Sequence, residues 1–272
     1  MILRSYHNHT TFCDGKNSVE EMVRAAIGAG LHSFGISSHA TYPPDLRYCI
    51  QPGAEAQYAA QVNACKEKYA GHIEIYLGVE AELYGAKPTF ARDYTIGATH
   101  YMRIDGRDYY IDYSEEDQRK TIREVFGGDP YKLTAYYYET VAKYPEMLDF
   151  DFVAHFDLVT KFNEGGKIFD EEDPRYWKPA LEVMAYLVEK GYAFEINTGA
   201  ISRGYRTTPY PNVRLLRSLK EFGGSIVFGC DSHSVDTVTT CLVDAMELAK
   251  HCGFRSQRIL TRDGWQEAAI GE

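Results

Sequence analysis

No apolar run in the 272-residue sequence approaches membrane-spanning length, and its start, MILRSYHNHT, shows neither a basic leader followed by an apolar stretch nor a cleavage site. A cytoplasmic protein without a membrane partner is therefore expected. Positive charge is scarce: 29 Lys and Arg against 39 Asp and Glu leave a net charge of −10. Such a chain repels nucleic acid at long range, so no nucleic-acid partner is expected. An anionic substrate would need local positive charge, which bound metal ions can supply. The six cysteines, at 13, 49, 65, 230, 241 and 252, include no C-x-x-C pair, which points to reduced structural thiols. There is no internal repeat, low-complexity tract or Pro/Ser-rich linker to divide the chain, so one domain over residues 1–272 is expected. The first β-α turn also lacks the glycine-rich phosphate fingerprint of a dinucleotide fold.

What is present is an ordinary globular composition, 44% apolar and 25% charged, carrying a repeated alternation of short apolar β-rich runs and amphipathic stretches. The runs ILRSYHNH, HSFGISSH, IEIYLGVEAE, YTIGATHYM, FDFVAHFD, YAFEINTG and SIVFGCDSH predict strands, with RSQRILTR as a weaker eighth. Helices are predicted at SVEEMVRAAIGAG, where Ser18 and Glu21 form a capping-box signature, and at AEAQYAAQVNACKEKYAG, YWKPALEVMAYLVEKG, NVRLLRSLKEFGG and DTVTTCLVDAMELAKHCG. Seven or eight β-α units favour an α/β barrel over an open doubly wound sheet. Residues 101–146 interrupt the pattern: RIDGRDYYIDY predicts a hairpin around Asp105-Gly106, followed by tyrosine-rich helical stretches that would overhang the barrel mouth.

Six of the nine histidines fall at or near the C-terminal ends of predicted strands, the catalytic rim of a barrel. His7 and His9, one residue apart, point to the same face, where two imidazoles can grip one metal; Asp231 and His233 repeat this geometry on the seventh strand. His39, Glu80, His100 and His155 lie at the ends of strands two to five, and Asp14 follows the first strand. Any one histidine in an apolar strand could be a core residue, but six together without metal would be short of partners or mutually repelling. Nine nitrogen and oxygen donors exceed one tetrahedral zinc and suit two or three divalent ions if one carboxylate bridges. Zinc, manganese and iron all fit that donor set. His32, His72 and His251 sit away from the rim and are expected on the surface.

These residues resemble the polymerase-and-histidinol-phosphatase (PHP) superfamily, and within it the histidinol-phosphate phosphatases, through six ordered motifs: HNHTTFCDG, SSHA, GVEAELY, GATHYM, VAHFDLVTKF and GCDSH. The resemblance implies a distorted (β/α)7 barrel with its metal site at the C-terminal rim of the strands. It also implies a ligand distribution: His7, His9, Glu80 and Asp231 on one ion, Glu80 bridging to a second held by His100 and His155, and Asp14, His39 and His233 on a third. Glu82 is the rival carboxylate, and the G-x-E match favours Glu80.

Two bridged ions would lower the pKa of a shared water, supplying hydroxide for in-line attack on phosphorus, and would neutralise charge on the phosphoryl oxygens. Lys161, Arg203 and Arg206, on loops after strands, are candidates for the phosphate cradle. The proton for the leaving alcohol could come from a side chain or a metal-bound water. The resemblance implies L-histidinol phosphate as the small-molecule substrate, in histidine biosynthesis, with the 101–114 segment facing its ammonium and imidazole. The alternatives are a PHP phosphoesterase for another small ester, such as a nucleotide or phosphotyrosine, and a non-catalytic metal-binding module.

Overall fold

A computed structural model describes all 272 residues. Every run expected as a strand contains one. They are β1 (Leu3–Ser5), β2 (Leu31–Ile36), β3 (Glu74–Leu77) and β4 (Glu80–Glu82), β5 (Ile96–Ala98), β6 (Tyr101–Ile104), β7 (Arg107–Tyr110), β8 (Phe152–Val153), β9 (Ala193–Asn197), β10 (Ser225–Gly229), β11 (Ser256–Thr261) and β12 (Gly264–Ala269). Two parallel sheets form, ordered β1-β2-β3 and β10-β9-β8-β5-β4. At one seam β3 runs into β4 through Gly78 and Val79, with a parallel bridge between His39 and Glu80. At the other, Asn8 bridges Ser232 in parallel, the Tyr6 amide donates to Phe228 O (3.2 Å) and the His9 amide to Ser232 O (2.8 Å).

Helices follow the strands as the patterning requires. Helix Val19–Gly28 starts at a complete capping box, with Ser18 receiving the Glu21 amide and Glu21 the Ser18 amide, and it buries Val19, Met22, Val23 and Ala26 at helical spacing. A cap of this kind contributes about 1 kcal/mol. Helices Glu55–Lys68, Pro174–Glu189 and Val213–Glu221 also fall where expected. The last one begins late: residues 235–237 form a 3₁₀ turn, Cys241 takes a left-handed φ of 54°, and the helix runs only Leu242–His251. The Thr-Val-Thr-Thr run explains the delay, because β-branched residues are poor helix formers and the Thr237 hydroxyl donates to Ser234 O (3.0 Å) instead.

The eighth expected strand is corrected. RSQRILTR forms β11, but it pairs antiparallel with β12 and joins neither parallel sheet. This hairpin packs Leu260 and Trp265 against Tyr6, Tyr76, Tyr94 and Phe152 between the strands. Tyr76 Oη donates to Leu260 O (2.8 Å) and Trp265 Nε1 to Asp151 Oδ1 (2.9 Å). The hairpin thus seals the end of the sheets opposite the histidines.

The 101–146 segment contains the expected hairpin, β6–β7. Its two-residue turn places Asp105 and Gly106 at φ values of 51° and 78°, the mirror-image turn that Asp-Gly favours. Helices Glu115–Val125 and Pro130–Val141 follow. Leu133, Tyr137, Tyr138 and Val141 enter the largest core cluster beside Tyr176, Ala180 and Leu187, so much of this segment's tyrosine content is packing. No helix is long and apolar enough to cross a membrane.

Candidate metal centre

Glu80, at the start of β4 and buried, is the hub of the histidine cluster. Its Oε1 lies 2.9 Å from His155 Nε2 and 3.5 Å from His100 Nε2; its Oε2 lies 2.8 Å from His39 Nδ1, 3.1 Å from His7 Nε2 and 3.5 Å from His9 Nε2. Asp231 Oδ1 stands 3.2 Å from His9 Nε2 and 3.9 Å from His7 Nε2. Asp14 Oδ1 is 3.2 Å from His233 Nε2 and 3.7 Å from His39 Nε2. All nine residues expected at the rim are therefore brought together. Asp231 reaches its position from a left-handed φ of 48°, a conformation that Asp tolerates better than most residues and that clusters at functional sites.

Burial pushes the Glu80 carboxyl up, but the imidazoles of His39, His7 and His100 outweigh it and hold the group well below the ordinary carboxylate range. Burial pushes His9 down to about 3, assisted by His233 and His39, so its imidazole is neutral and free to ligate. Buried His7 Nε2, His9 Nε2 and Glu80 Oε2 lie close together, yet none is aligned for a hydrogen bond, and such atoms cost on the order of 1–3 kcal/mol each when left unmet. A cation resolves all three at once. The donors form three overlapping groups, His7–His9–Glu80, His39–Glu80–His100 and His9–Asp14–His39–His233, with ligand atoms within 4.8 Å of one another in each. The residues thus fit a cluster of transition ions bound through nitrogen and oxygen.

Two carboxylates complete the arrangement from behind. Glu82, the rival to Glu80, turns to His100 instead: its Oε2 accepts the His100 amide (2.8 Å) and lies 3.0 Å from His100 Nδ1. Glu195 on β9 contacts His7 Nδ1 at 2.8 Å. Sequence reasoning passed over Glu195, although an acidic residue amid the apolar run AFEIN was its signal. Glu195 fits only because residue 229 is glycine; a Cβ there would stand 1.8 Å from its Oε1.

The cluster floors a cavity of about 410 Å³. Lys161 and Arg203 line it. Lys161 Nζ donates to Asp112 O (2.8 Å) and Asp112 Oδ2 (3.0 Å), and Arg203 Nη2 donates to Asp231 Oδ2 (2.8 Å). Arg206 is corrected: it is buried outside this cavity, its guanidinium engaged by Glu171 (2.7 Å), Glu164 (3.3 Å) and Thr160 O (2.8 Å). It braces two loops. The far wall is formed by Tyr48, Tyr101, Tyr110 and Tyr113 with Asp45 and Asp112, so the hairpin does overhang the site. His32, His72 and His251 are exposed at some distance, as expected.

A family model for the PHP domain matches residues 5–199. A protein of Schizosaccharomyces pombe named a probable histidinol-phosphatase is 28% identical, the match covering 93% of this chain and 87% of the relative. A protein of the same name from Deinococcus radiodurans is also 28% identical, over 92% of this chain and 94% of its own. The crystal structure of histidinol phosphate phosphatase from Lactococcus lactis, in complex with zinc, L-histidinol and phosphate, superposes with a TM-score of 0.75 at 19% identity, covering 97% of this chain and 98% of that one.

Proposed function

The chain belongs to the PHP domain family, and from that premise we propose that it is a metal-dependent phosphomonoesterase converting L-histidinol phosphate and water to L-histidinol and phosphate. The observation that carries this reading is the convergence of six histidines and three carboxylates at the base of a cavity whose rim also presents Lys161 and Arg203. The two relatives named histidinol-phosphatase, alike over nearly the whole chain, support the substrate. The bridges at Asn8–Ser232 and His39–Glu80 support reading the two sheets as one distorted seven-stranded barrel of a single domain, with the hairpin and helices of 101–146 as its insertion.

In this reading His7, His9, Glu80 and Asp231 hold one ion, Glu80 with His100 and His155 a second, and Asp14, His39 and His233 a third. His9 and His39 also face the neighbouring groups, so they are the residues on which the count of two or three ions turns. Such ions, of zinc, manganese or iron, supply a water of lowered pKa and neutralise phosphoryl charge. Lys161 and Arg203 bind the phosphate oxygens by charge-assisted hydrogen bonds. The Arg203–Asp231 pair keeps the guanidinium at the rim, and Asp112 does the same for Lys161. As the water oxygen bonds to phosphorus and the P–O bond to the alcohol breaks, these two cations stabilise the charge on the transferring phosphoryl oxygens, and the departing alkoxide is protonated to give L-histidinol. The aromatic and acidic far wall faces the ammonium and imidazole of the substrate, where cation–π and ionic contacts suit its charge.

Phosphate release should be followed with L-histidinol phosphate, a mononucleotide, phosphotyrosine and an aryl phosphate, using metal-replete protein. The reading requires kcat/KM for histidinol phosphate to exceed the others. A different preferred ester would keep the phosphatase and reject the substrate; no hydrolysis of any would leave a non-catalytic metal module.

A further inference from the structure

Strand β9 supplies none of the nine rim residues, yet its inward side lies directly behind them. Glu195 is fully buried there and receives donors from three directions. Its Oε1 is 2.8 Å from His7 Nδ1, while its Oε2 accepts the His155 amide (3.1 Å) and Asn197 Nδ2 (2.9 Å). Asn197 is fixed in turn, its Oδ1 accepting the Gly199 amide (2.8 Å). Because a carboxylate can only accept, Nδ1 of His7 is the donor in its contact with Glu195, which fixes the ring plane and leaves Nε2, facing Glu80, as the nitrogen available to a metal ion.

We infer that Glu195 is a positioning residue that ties two metal positions to each other, because it orients the ring of His7 and the backbone of His155. These two histidines belong to different ions in the reading above, on which this inference rests. Three donors converge on the two oxygens, and an ionised carboxylate accepts them all; an amide would either set its N–H against His7 Nδ1–H or turn His7 to the Nε2–H tautomer, which cannot ligate through Nε2. Glu82 provides the internal contrast. It touches a single ligand, His100, through its ring and amide, and so serves one position.

The test is a zinc titration of chelator-stripped protein against a competing chelator, with elemental analysis of gel-filtered samples and far-UV circular dichroism to confirm folding. E195Q should weaken two ions together, by about 10- to 100-fold each, the usual effect of removing the group behind a ligating histidine. E82Q should weaken one. E195D keeps the charge but withdraws it by one methylene, so a smaller loss at the same two ions is expected, and it carries the test should E195Q not fold. Folded E195Q that binds zinc as the wild type does, or loses a single ion, would overturn the inference even if its melting temperature fell, since a merely structural role predicts that pattern. Wild-type protein that takes up no zinc would instead overturn the metal reading itself.

Discussion

At the scale of single residues, the site joins acids and imidazoles so closely that each substitution has a definite chemical sign. His7→Ala or Asp231→Asn removes a proposed ligand from the rim and nothing from the core clusters, so phosphatase activity should disappear while the far-UV spectrum persists; loss of that spectrum would make the site structural. Truncating Lys161 to alanine should cost about 1.5–3 kcal/mol, or one to two powers of ten in kcat/KM, and similarly for every phosphomonoester. Arg203→Ala should lose at least as much, since Arg203 also steadies Asp231. His100 gives a pH signature in metal-free protein. Burial pushes it down, but the Glu80 and Glu82 carboxylates prevail and raise it to about 10. The folded state then holds a proton that the unfolded chain releases near pH 6.5, so this contribution is complete below that pH and fades as pH rises through about 10. Thermal melts of stripped protein should show stability falling across that window, and His100→Asn should flatten the slope.

Among the elements, β6–β7 carries the proposed specificity wall and β9 the proposed support of His7 and His155, and they differ in how far the sequence revealed them. Tyr110 lines the cavity, whereas Asp108 turns away to Arg103 (2.6 Å) and to the Tyr42 hydroxyl. Tyr110→Ala should therefore impair histidinol phosphate more than an aryl phosphate. Asp108→Ala should act on both through loosening of the hairpin, which kinetics on the two substrates will separate. On β10, Gly229→Ala should displace Glu195 and lower metal content without touching a ligand. The convergence of the nine rim residues was legible because strand ends constrain where a side chain can point: His7 and His9 lie just past β1 and Asp231 and His233 just past β10, although Asp231 reaches its place through a left-handed φ and not through the two-residue strand repeat. The Asp105-Gly106 turn was legible for a similar local reason. Arg206 was not, because the path of the loop after β9 depends on Glu171 and Glu164, distant in sequence. Nor was the placement of Glu195, whose partners His7 and His155 lie just past β1 and β8, far from it in sequence, or the fate of RSQRILTR, whose strand character is local but whose lack of a place in the parallel sheets is not.

For the whole molecule, the arrangement places a polar, metal-ready rim at one end of the parallel strands and an aromatic plug, Tyr6, Tyr76, Tyr94 and Trp265, at the other. The acidic surface implied by a net charge of −10 leaves the attraction of a phosphate ester to the rim alone. Purified metal-replete protein should contain two or three divalent ions per chain by elemental analysis, and a single ion would refute the shared role given to Glu80. The most direct measurement is the hydrolysis of L-histidinol phosphate by one preparation before chelation, after chelation and after zinc or manganese is restored. The account predicts phosphate release that is lost on stripping and regained on reconstitution. Turnover that survives complete metal removal, or none in fully reconstituted protein, would contradict it.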